Sequence, residues 1–567
     1  MNQGWRRRVG ERAAVNERAG RMVVNHPGPM MTVDGTPRVG RPRDPNGKWR
    51  VLLINPPFQR LKRVYNLYFP LGLGYLASSL KTSGFECGIY NVENAQADEV
   101  LPHNHMSLLD QHFEFINALS QEEHFVWDEV RRTIMEFKPD IVGVSVLTPC
   151  YGSAVRVNKI AKACFPDVTI VWGGSHPSVQ AFEILRDEPE VDYVVMSEGE
   201  ITMKELCAGV RAGRTDYTGV DGMAFRGANG TKINPPREFH GELDDLPFPD
   251  KAASLYIDAY FRDPERAQLG NLFGSRGCPF RCAYCSSHAI WSRKVRYRTP
   301  ANILDEMADL RRDFGVERYS FLDDTFTMNR KWAGDICDGL IERNMRARWG
   351  CYTRLDVLTE PLLLKMRNAG LVEVDVGIET GSPRMVEFLQ KDIKLDRVRE
   401  MAAVLNKHHV PWNSFIMMGL PDETVEDTQM TIDFIHEIKP LRCILSVFTP
   451  YPGDHLFEVC KSRGLIPDRP DWSRYSHHSP ENCFVKDISK PEFEKLVRHV
   501  FTLIDRYNNG FSANYRLFRA NMHLYLSHPV RFVQKAGRAM GRIVNTKLRT
   551  TAASLDLARV SGRGSGI

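Results

Sequence analysis

Short apolar runs bounded by turn-forming residues recur along this chain, and helical spacing fills the gaps between them. Val51-Leu52-Leu53-Ile54 is stopped by Asn55-Pro56-Pro57. Proline lacks an amide hydrogen and pushes its predecessor toward extended backbone, so this reads as a buried strand followed by a forced turn. A helix is predicted from Leu71 to about residue 80, a second strand at 87–90 and helical structure over 100–138. Strands follow at 140–147, 168–172 and 193–196, with a helix at 154–164. Buried strands alternating with helices predict an α/β fold: a doubly wound parallel sheet covered on both faces. Such sheets bind ligands at the carboxyl ends of their strands. Asn55, Ser145, Thr148, Gly173, Gly174, His176, Glu198 and Gly199 gather at those ends.

Residues 206–264, rich in Gly and Pro, read as a linker with hairpins. A second α/β pattern then has strand-like runs at 272–273, 318–322, 349–353, 373–377, 413–417 and 444–448. Six strands with five crossovers make most of a barrel, again with its site at the carboxyl ends. The predicted organisation is a flexible basic leader (1–49), a first α/β domain (50–205), the linker (206–264), a partial (β/α)6 barrel (265–490) and a helical C-terminal region with a basic tail (491–567).

Charge refines this picture. The net charge of +5 hides +7 in residues 1–50 and +7 in 529–567, so the body between is acidic by −9. That excludes a dedicated nucleic-acid binder, whose basic surface would lie on the folded part. No run reaches the ~18 apolar residues of a membrane span, so a cytoplasmic protein without transmembrane segments is expected. Twelve cysteines in 567 residues make no disulfide scaffold. In a reducing compartment a cysteine cluster points to metal binding or catalysis.

One such cluster exists: Gly277-Cys278-Pro-Phe-Arg-Cys282-Ala-Tyr-Cys285, directly after a predicted strand. Thiolates suit zinc or iron–sulfur. Zinc usually takes a fourth protein ligand, and His288 could supply it. On a four-iron cluster, three cysteines leave one iron open, which signals chemistry rather than support.

The CxxxCxxC spacing resembles the radical S-adenosylmethionine (SAM) superfamily, and its surroundings agree. Leu272-Phe273-Gly-Ser-Arg-Gly277 resembles the family's first strand, Val376-Gly377-Ile378-Glu379-Thr380 its fourth-strand segment, Phe415-Ile-Met-Met-Gly419-Leu420-Pro421 its fifth-strand motif and Phe448-Thr-Pro-Tyr451-Pro-Gly453 its sixth-strand end. The resemblance implies that Cys278, Cys282 and Cys285 hold a [4Fe-4S] cluster. It also implies that Tyr284, Asp323, Asp324, Arg354, Glu379, Thr380 and Gly419 lie around SAM. Where the family often has Gly-Gly-Glu, this chain has Leu322-Asp323-Asp324-Thr325-Phe326. The paired carboxylates could hold the SAM ammonium or cap a strand end, and Arg354 could pair the SAM carboxylate.

The first domain resembles the flavodoxin-like cobalamin-binding domain that precedes many radical SAM domains. The matching pieces are Asn55-Pro56-Pro57, Phe69-Pro-Leu71-Gly72-Leu-Gly74-Tyr75-Leu-Ala77, Pro139-Asp-Ile-Val-Gly143, Trp172-Gly173-Gly174-Ser-His176-Pro177 and Glu198-Gly199-Glu200. They imply cobalamin contacts from Asn55, Pro56, Leu71, Gly72, Ser145, Thr148, Gly173, Gly174, His176, Glu198 and Gly199. The rival dinucleotide reading of Gly72-Leu-Gly74-Tyr-Leu-Ala77 fails, because seventeen residues separate Ile54 from Gly72 whereas that turn must leave the strand directly. No DxHxxG follows the first strand. The implied cobalamin is therefore base-off without a histidine ligand, and His176 is a loop cap or, less simply, a cobalt contact.

The expected protein is thus a cobalamin-dependent radical SAM enzyme, similar to the class B methyltransferases. Its expected reaction methylates an unactivated carbon, or phosphorus, of a small biosynthetic intermediate through methylcobalamin and a 5′-deoxyadenosyl radical, fed by an external flavodoxin- or ferredoxin-type electron donor. No residue is assigned to acid–base catalysis. The alternatives are a radical cyclase or rearrangement enzyme with the same cofactors, and a non-enzymatic corrinoid carrier or sensor. A methylthiotransferase would need three N-terminal cluster cysteines. Cys87 and Cys164 read as packing residues, while Cys150, near a strand end, stays open. The basic apolar stretch from Tyr515 could pack on the body or lie on a membrane surface, which would fit a membrane-peripheral enzyme with a lipid-linked substrate.

Overall fold

A computed structural model describes residues 47–64, 67–96, 99–100, 105–262, 268–510 and 513–516. The leader to residue 46 and the basic stretch beyond Arg516 lie outside the described residues, as do the expectations placed on them.

The first half is one seven-stranded sheet, ordered β2-β1-β3-β4-β5-β6-β7. Its strands are β1 (Arg50–Asn55), β2 (Glu86–Asn91), β3 (Ile141–Ser145), β4 (Thr169–Gly173), β5 (Tyr193–Val195), β6 (Met223–Gly227) and β7 (Gly230–Ile233). The first five pair in parallel with the sequence order reversing beside β1, the doubly wound arrangement expected. Alternate residues of each strand face opposite layers. Leu52, Ile54, Val142, Val144, Ile170 and Trp172 pack in one core with Trp127, Val130 and Ile134. Val51, Leu53, Ile141 and Val171 pack in another with Leu73, Tyr75, Leu80 and Leu206. This is why the strands read as unbroken apolar runs rather than alternating ones.

Two expectations need correction. The predicted linker is not merely a connection: β6 pairs antiparallel with β5 (Tyr193 opposite Phe225) and β7 with β6, so this hairpin extends the sheet. The predicted helical stretch 100–138 divides into His105–Ser120 and Phe125–Phe137, the second helix being capped by the His124 side chain, which accepts from the Val126 amide.

The second half is a six-stranded, all-parallel sheet ordered β15-β14-β13-β12-β11-β8. Its strands are β8 (Asn271–Leu272), β11 (Arg318–Phe321), β12 (Arg348–Thr353), β13 (Leu371–Glu379), β14 (Trp412–Met418) and β15 (Arg442–Val447). Between β8 and β11 a short ribbon of β9 (Ser275–Arg276) and β10 (Arg296–Tyr297) brackets the cysteine loop. The helix Lys490–Asn509 seats Phe493, Val497, Val500, Phe501 and Ile504 in the barrel core. No helix among the described residues is long and apolar enough to cross a membrane.

Candidate functional site

The three-thiol loop begins at Gly277, whose φ of +103° is open to glycine and costly for other residues. A Cβ there would come 2.5 Å from the Lys294 carbonyl oxygen, so glycine lets the ribbon close beneath the loop. The loop is then pinned by its backbone. The Cys278 amide donates to Ser292 O (3.4 Å), Ala283 to Leu389 O (2.8 Å) and Cys285 to Cys282 O (3.2 Å). Burial pushes the Cys285 thiol up to about 12 and raises Cys278 as well, with Asp324 adding to both. Thiolates here therefore need a bound cationic centre to hold them. Among the described residues no three His, Cys, Asp or Glu side chains form a single-ion cage. His288 Nδ1 faces the Cys285 carbonyl oxygen at 3.1 Å.

Around this loop the expected SAM residues separate into two groups. Asp323 is buried and accepts from the Gly274 amide (3.1 Å) and the Ser275 hydroxyl, tying β11 to the start of the ribbon. It is a structural cap, and burial holds its carboxyl up at about 6. Asp324 is the carboxylate of the pair left on the open side, with one hydrogen bond from Ser287 Oγ at 2.6 Å. Thr380 is fully buried and shares a hydrogen bond with Thr431 at 3.1 Å, which is also a packing role. The Arg354 guanidinium has a bidentate contact to Asp356 (3.0 and 2.8 Å), donates to Lys391 O and Asp392 O, and lies 3.7 Å over the Phe280 ring. Its Nη1 sits 3.9 Å from Cys282 Sγ. It braces the thiol loop.

Tyr284 and Glu379 do meet. The phenol donates to Glu379 Oε1 at 3.0 Å, and Lys391 Nζ reaches the same oxygen (2.9 Å) and the phenol oxygen (3.0 Å). Glu379 has φ +69°, where a register shift ends the β13–β14 pairing. Lys391 carried no sequence signal, since Gln390-Lys391-Asp392 sits in a loop without periodicity. Gly419 turns the chain after β14. Its amide and that of Leu420 donate to Glu423 Oε2, and the Phe493 ring lies where a Cβ would be (2.6 Å).

At the carboxyl ends of the first sheet is a cavity of ≈ 340 Å³. Gly72, Ser145, Gly173, Gly174, Glu198 and Gly199 line it, and Phe273, Arg276, Ile290 and Trp291 of the second half close it. A Cβ on Gly72 would meet no protein atom within 4 Å, so this glycine leaves open space for a bulky ligand. Asn55, Pro56, Leu71, Thr148 and His176 do not line it. Asn55 donates to Asn91 Oδ1 (2.9 Å), and Leu71 is buried in the core. His176 is 1% exposed, hydrogen-bonded to Thr148 Oγ1 (3.0 Å) and packed edge-on against Tyr151 and Trp472. It is a buried packing histidine, depressed by desolvation to about 3.

Glu198 does more than line the cavity. It joins Arg276 (2.9 Å) and Arg296 (2.8 Å), Glu200 joins Arg276 (2.6 Å), and the Arg276 guanidinium lies over the Tyr75 and Trp291 rings. This buried network ties the end of β5 to the ribbon that carries the thiols. Neither arginine could be assigned from sequence, because their partners lie about 80 to 100 residues away. Of the other cysteines, Cys150 and Cys164 belong to one core and Cys87 and Cys207 to the opposite one, so they do not form a second N-terminal cluster.

Comparison with known proteins adds two family matches: the B12 binding domain over residues 60–207 and the radical SAM superfamily over 272–435. The uncharacterized methyltransferase PH0819 of Pyrococcus horikoshii is 29% identical over 80% of this chain and 91% of that protein. The anaerobic magnesium-protoporphyrin IX monomethyl ester cyclase of Rubrivivax gelatinosus is 28% identical over 85% of this chain and 79% of its own length. Among solved structures, the cobalamin-dependent S-adenosylmethionine radical enzyme OxsB superposes with a TM-score of 0.62 at 14% identity, covering 92% of this chain and 82% of that one, a likeness of fold.

Proposed function

From the premise that this chain is a radical SAM enzyme with an N-terminal B12-binding domain, we propose that it is a cobalamin-dependent methyltransferase. The substrate would be a small biosynthetic intermediate, modified at an unactivated carbon or at phosphorus. The observation that carries this is the shared cavity: glycine-walled on the side of the first sheet, and closed by Arg276 and Trp291 next to the thiol loop. Two reactive cofactors would then be neighbours, which methyl delivery to a substrate radical requires.

The residues fit these groups. Cys278, Cys282 and Cys285 would hold a [4Fe-4S] cluster, Asp324 would take the SAM ammonium, and Tyr284, Glu379 and Lys391 would shape the SAM pocket as a closed hydrogen-bonded triad. Gly72, Gly173, Gly174 and Gly199 would let backbone approach a corrin closely, and Glu198 would hold the cavity wall through its arginines. The cobalamin would be base-off without a histidine ligand. When bound, the cofactors supply radical generation and a transferable methyl group, while the chain's own task is positioning and exclusion of water. Electrons would come from a flavodoxin- or ferredoxin-type donor.

SAM labelled in its methyl group tests the reaction. Label in the product supports methyl transfer. Consumption of SAM with unlabelled product favours the cyclase-type reading, which has the Rubrivivax relative behind it. Cys282→Ala is expected to abolish cluster absorbance and keep cobalamin binding; loss of both would refute the division of labour.

A further inference from the structure

The loop after β1 holds a buried lysine whose ammonium makes no hydrogen bond. Lys62 is 0% exposed, its Nζ has no hydrogen-bond partner, and the Phe58 ring lies 4.9 Å away. Glu93 acts on it, but the Glu93 oxygens are taken by the amides of Phe58, Gln59 and Arg60 (2.8, 2.9 and 2.7 Å). Burial brings the lysine down to about 7. From the helix His105–Ser120, His112 comes within range of Lys62. It is also 0% exposed, and neither ring nitrogen is hydrogen-bonded. Its nearby carboxylate, Glu481 at 3.6 Å, is 41% exposed on its side chain and paired with Arg474 at 3.0 Å. His477 also feels Lys62, and its carbonyl oxygen accepts from the Val447 amide at the end of β15 (2.8 Å). Three cation-capable side chains thus lie near one another, from the loop after β1, the helix His105–Ser120 and the loop after β15, and the carboxylates acting on them are Glu93, whose oxygens are held by amides, and the partly exposed Glu481. Folded proteins rarely leave buried donors unmet, and a buried ammonium without an anion is driven neutral.

We propose that Lys62, His112 and His477 form an anchor for an oxyanion, carboxylate or phosphoryl, on the substrate. The inference rests on the methyltransferase reading only for the word substrate; the anion site itself does not. The test uses full-length protein with its cluster reconstituted and saturated with methylcobalamin, so that the corrin's own phosphate is already accounted for. Inorganic phosphate and acetate are titrated separately by calorimetry at constant ionic strength. Saturable binding of one or both is expected in the wild type, weakened tenfold or more in Lys62→Met. Phosphate alone would identify a phosphoryl anchor, and acetate alone a carboxylate anchor. His112→Gln, which keeps a polar side chain, carries the same comparison should Lys62→Met not fold. No saturable binding, binding only before methylcobalamin is added, or unchanged binding in the variants would overturn the proposal. Separately, transfer of a labelled methyl group from SAM to the corrinoid without either anion reads the methyltransferase reaction alone. Its failure with anion binding intact would remove that reading and leave the anchor.

Discussion

Replacing Glu198 by glutamine removes the charge that holds two arginines at the seam between the sheets. Glu198 Oε1 accepts from Arg276 Nη1 (2.9 Å) and Arg296 Nη2 (2.8 Å), and Oε2 from Arg296 Nη1 and the His240 amide (both 2.9 Å). The three side chains are 4%, 4% and 7% exposed, so solvent cannot take over from the lost carboxylate. With Glu200 the network is neutral; the substitution leaves one positive charge buried. Breaking a buried pair from one side costs about 3–5 kcal/mol. Glutamine keeps the shape and one acceptor, which favours the lower end, about 3 kcal/mol, or roughly a 150-fold change in an equilibrium. The effect should be local, since Gly277 and the thiol loop follow Arg276 directly. Hydrogen–deuterium exchange in peptides spanning 193–200 and 270–298 is expected to accelerate by up to that same factor, about 150-fold, while β13 and β14 exchange as before. Wild-type exchange over 270–298, or acceleration spread evenly across the barrel strands, would refute the assignment of this network as the clamp.

Gly277→Ala puts a Cβ 2.5 Å from Lys294 O at φ +103°, so the ribbon must splay; iron per chain after reconstitution should fall severalfold, and normal iron content would contradict this. Arg354→Lys loses the bidentate contact to Asp356 and the stacking on Phe280; the cluster is expected to bleach severalfold faster in air, as read by its visible absorbance. Burial raises Glu423 to about 7 against the opposing hydrogen bonds from the Leu420 and Gly419 amides. Its folded form therefore prefers the proton, and stability from this group is full below about 4.5 and declines as pH rises toward 7. The unfolding free energy of Glu423→Gln, from denaturant titrations, should gain on the wild type between pH 5 and pH 8, by ~2–3 kcal/mol at most, and a pH-independent difference would exclude the effect.

Much of the architecture was legible in the residues because it rests on local rules. Strands buried on both faces must be apolar throughout, as β1, β3 and β4 are, and Asn55-Pro56-Pro57 must end a strand. The three closely spaced thiols were legible for the same reason, since a short loop carries all of its donors. The hairpins of 206–264 were legible, but not that β6 joins the sheet, because its partner β5 lies about 30 residues earlier and pairing across that distance leaves no periodic trace.

Side-chain roles at the site were decided by the tertiary structure. The sequence marked Asp323, Thr380, Arg354, Thr148 and His176 as polar residues at strand ends; only packing turned them inward to caps, braces and core contacts. Lys391, Arg276 and Arg296 became site residues through partners 12 to 98 positions away. The kind of chemistry was written into one compact loop, whereas the orientation of each charge depended on which buried partner the fold brought to it. A desolvated ion must be met by an opposite charge or a donor, and sequence spacing does not specify which one.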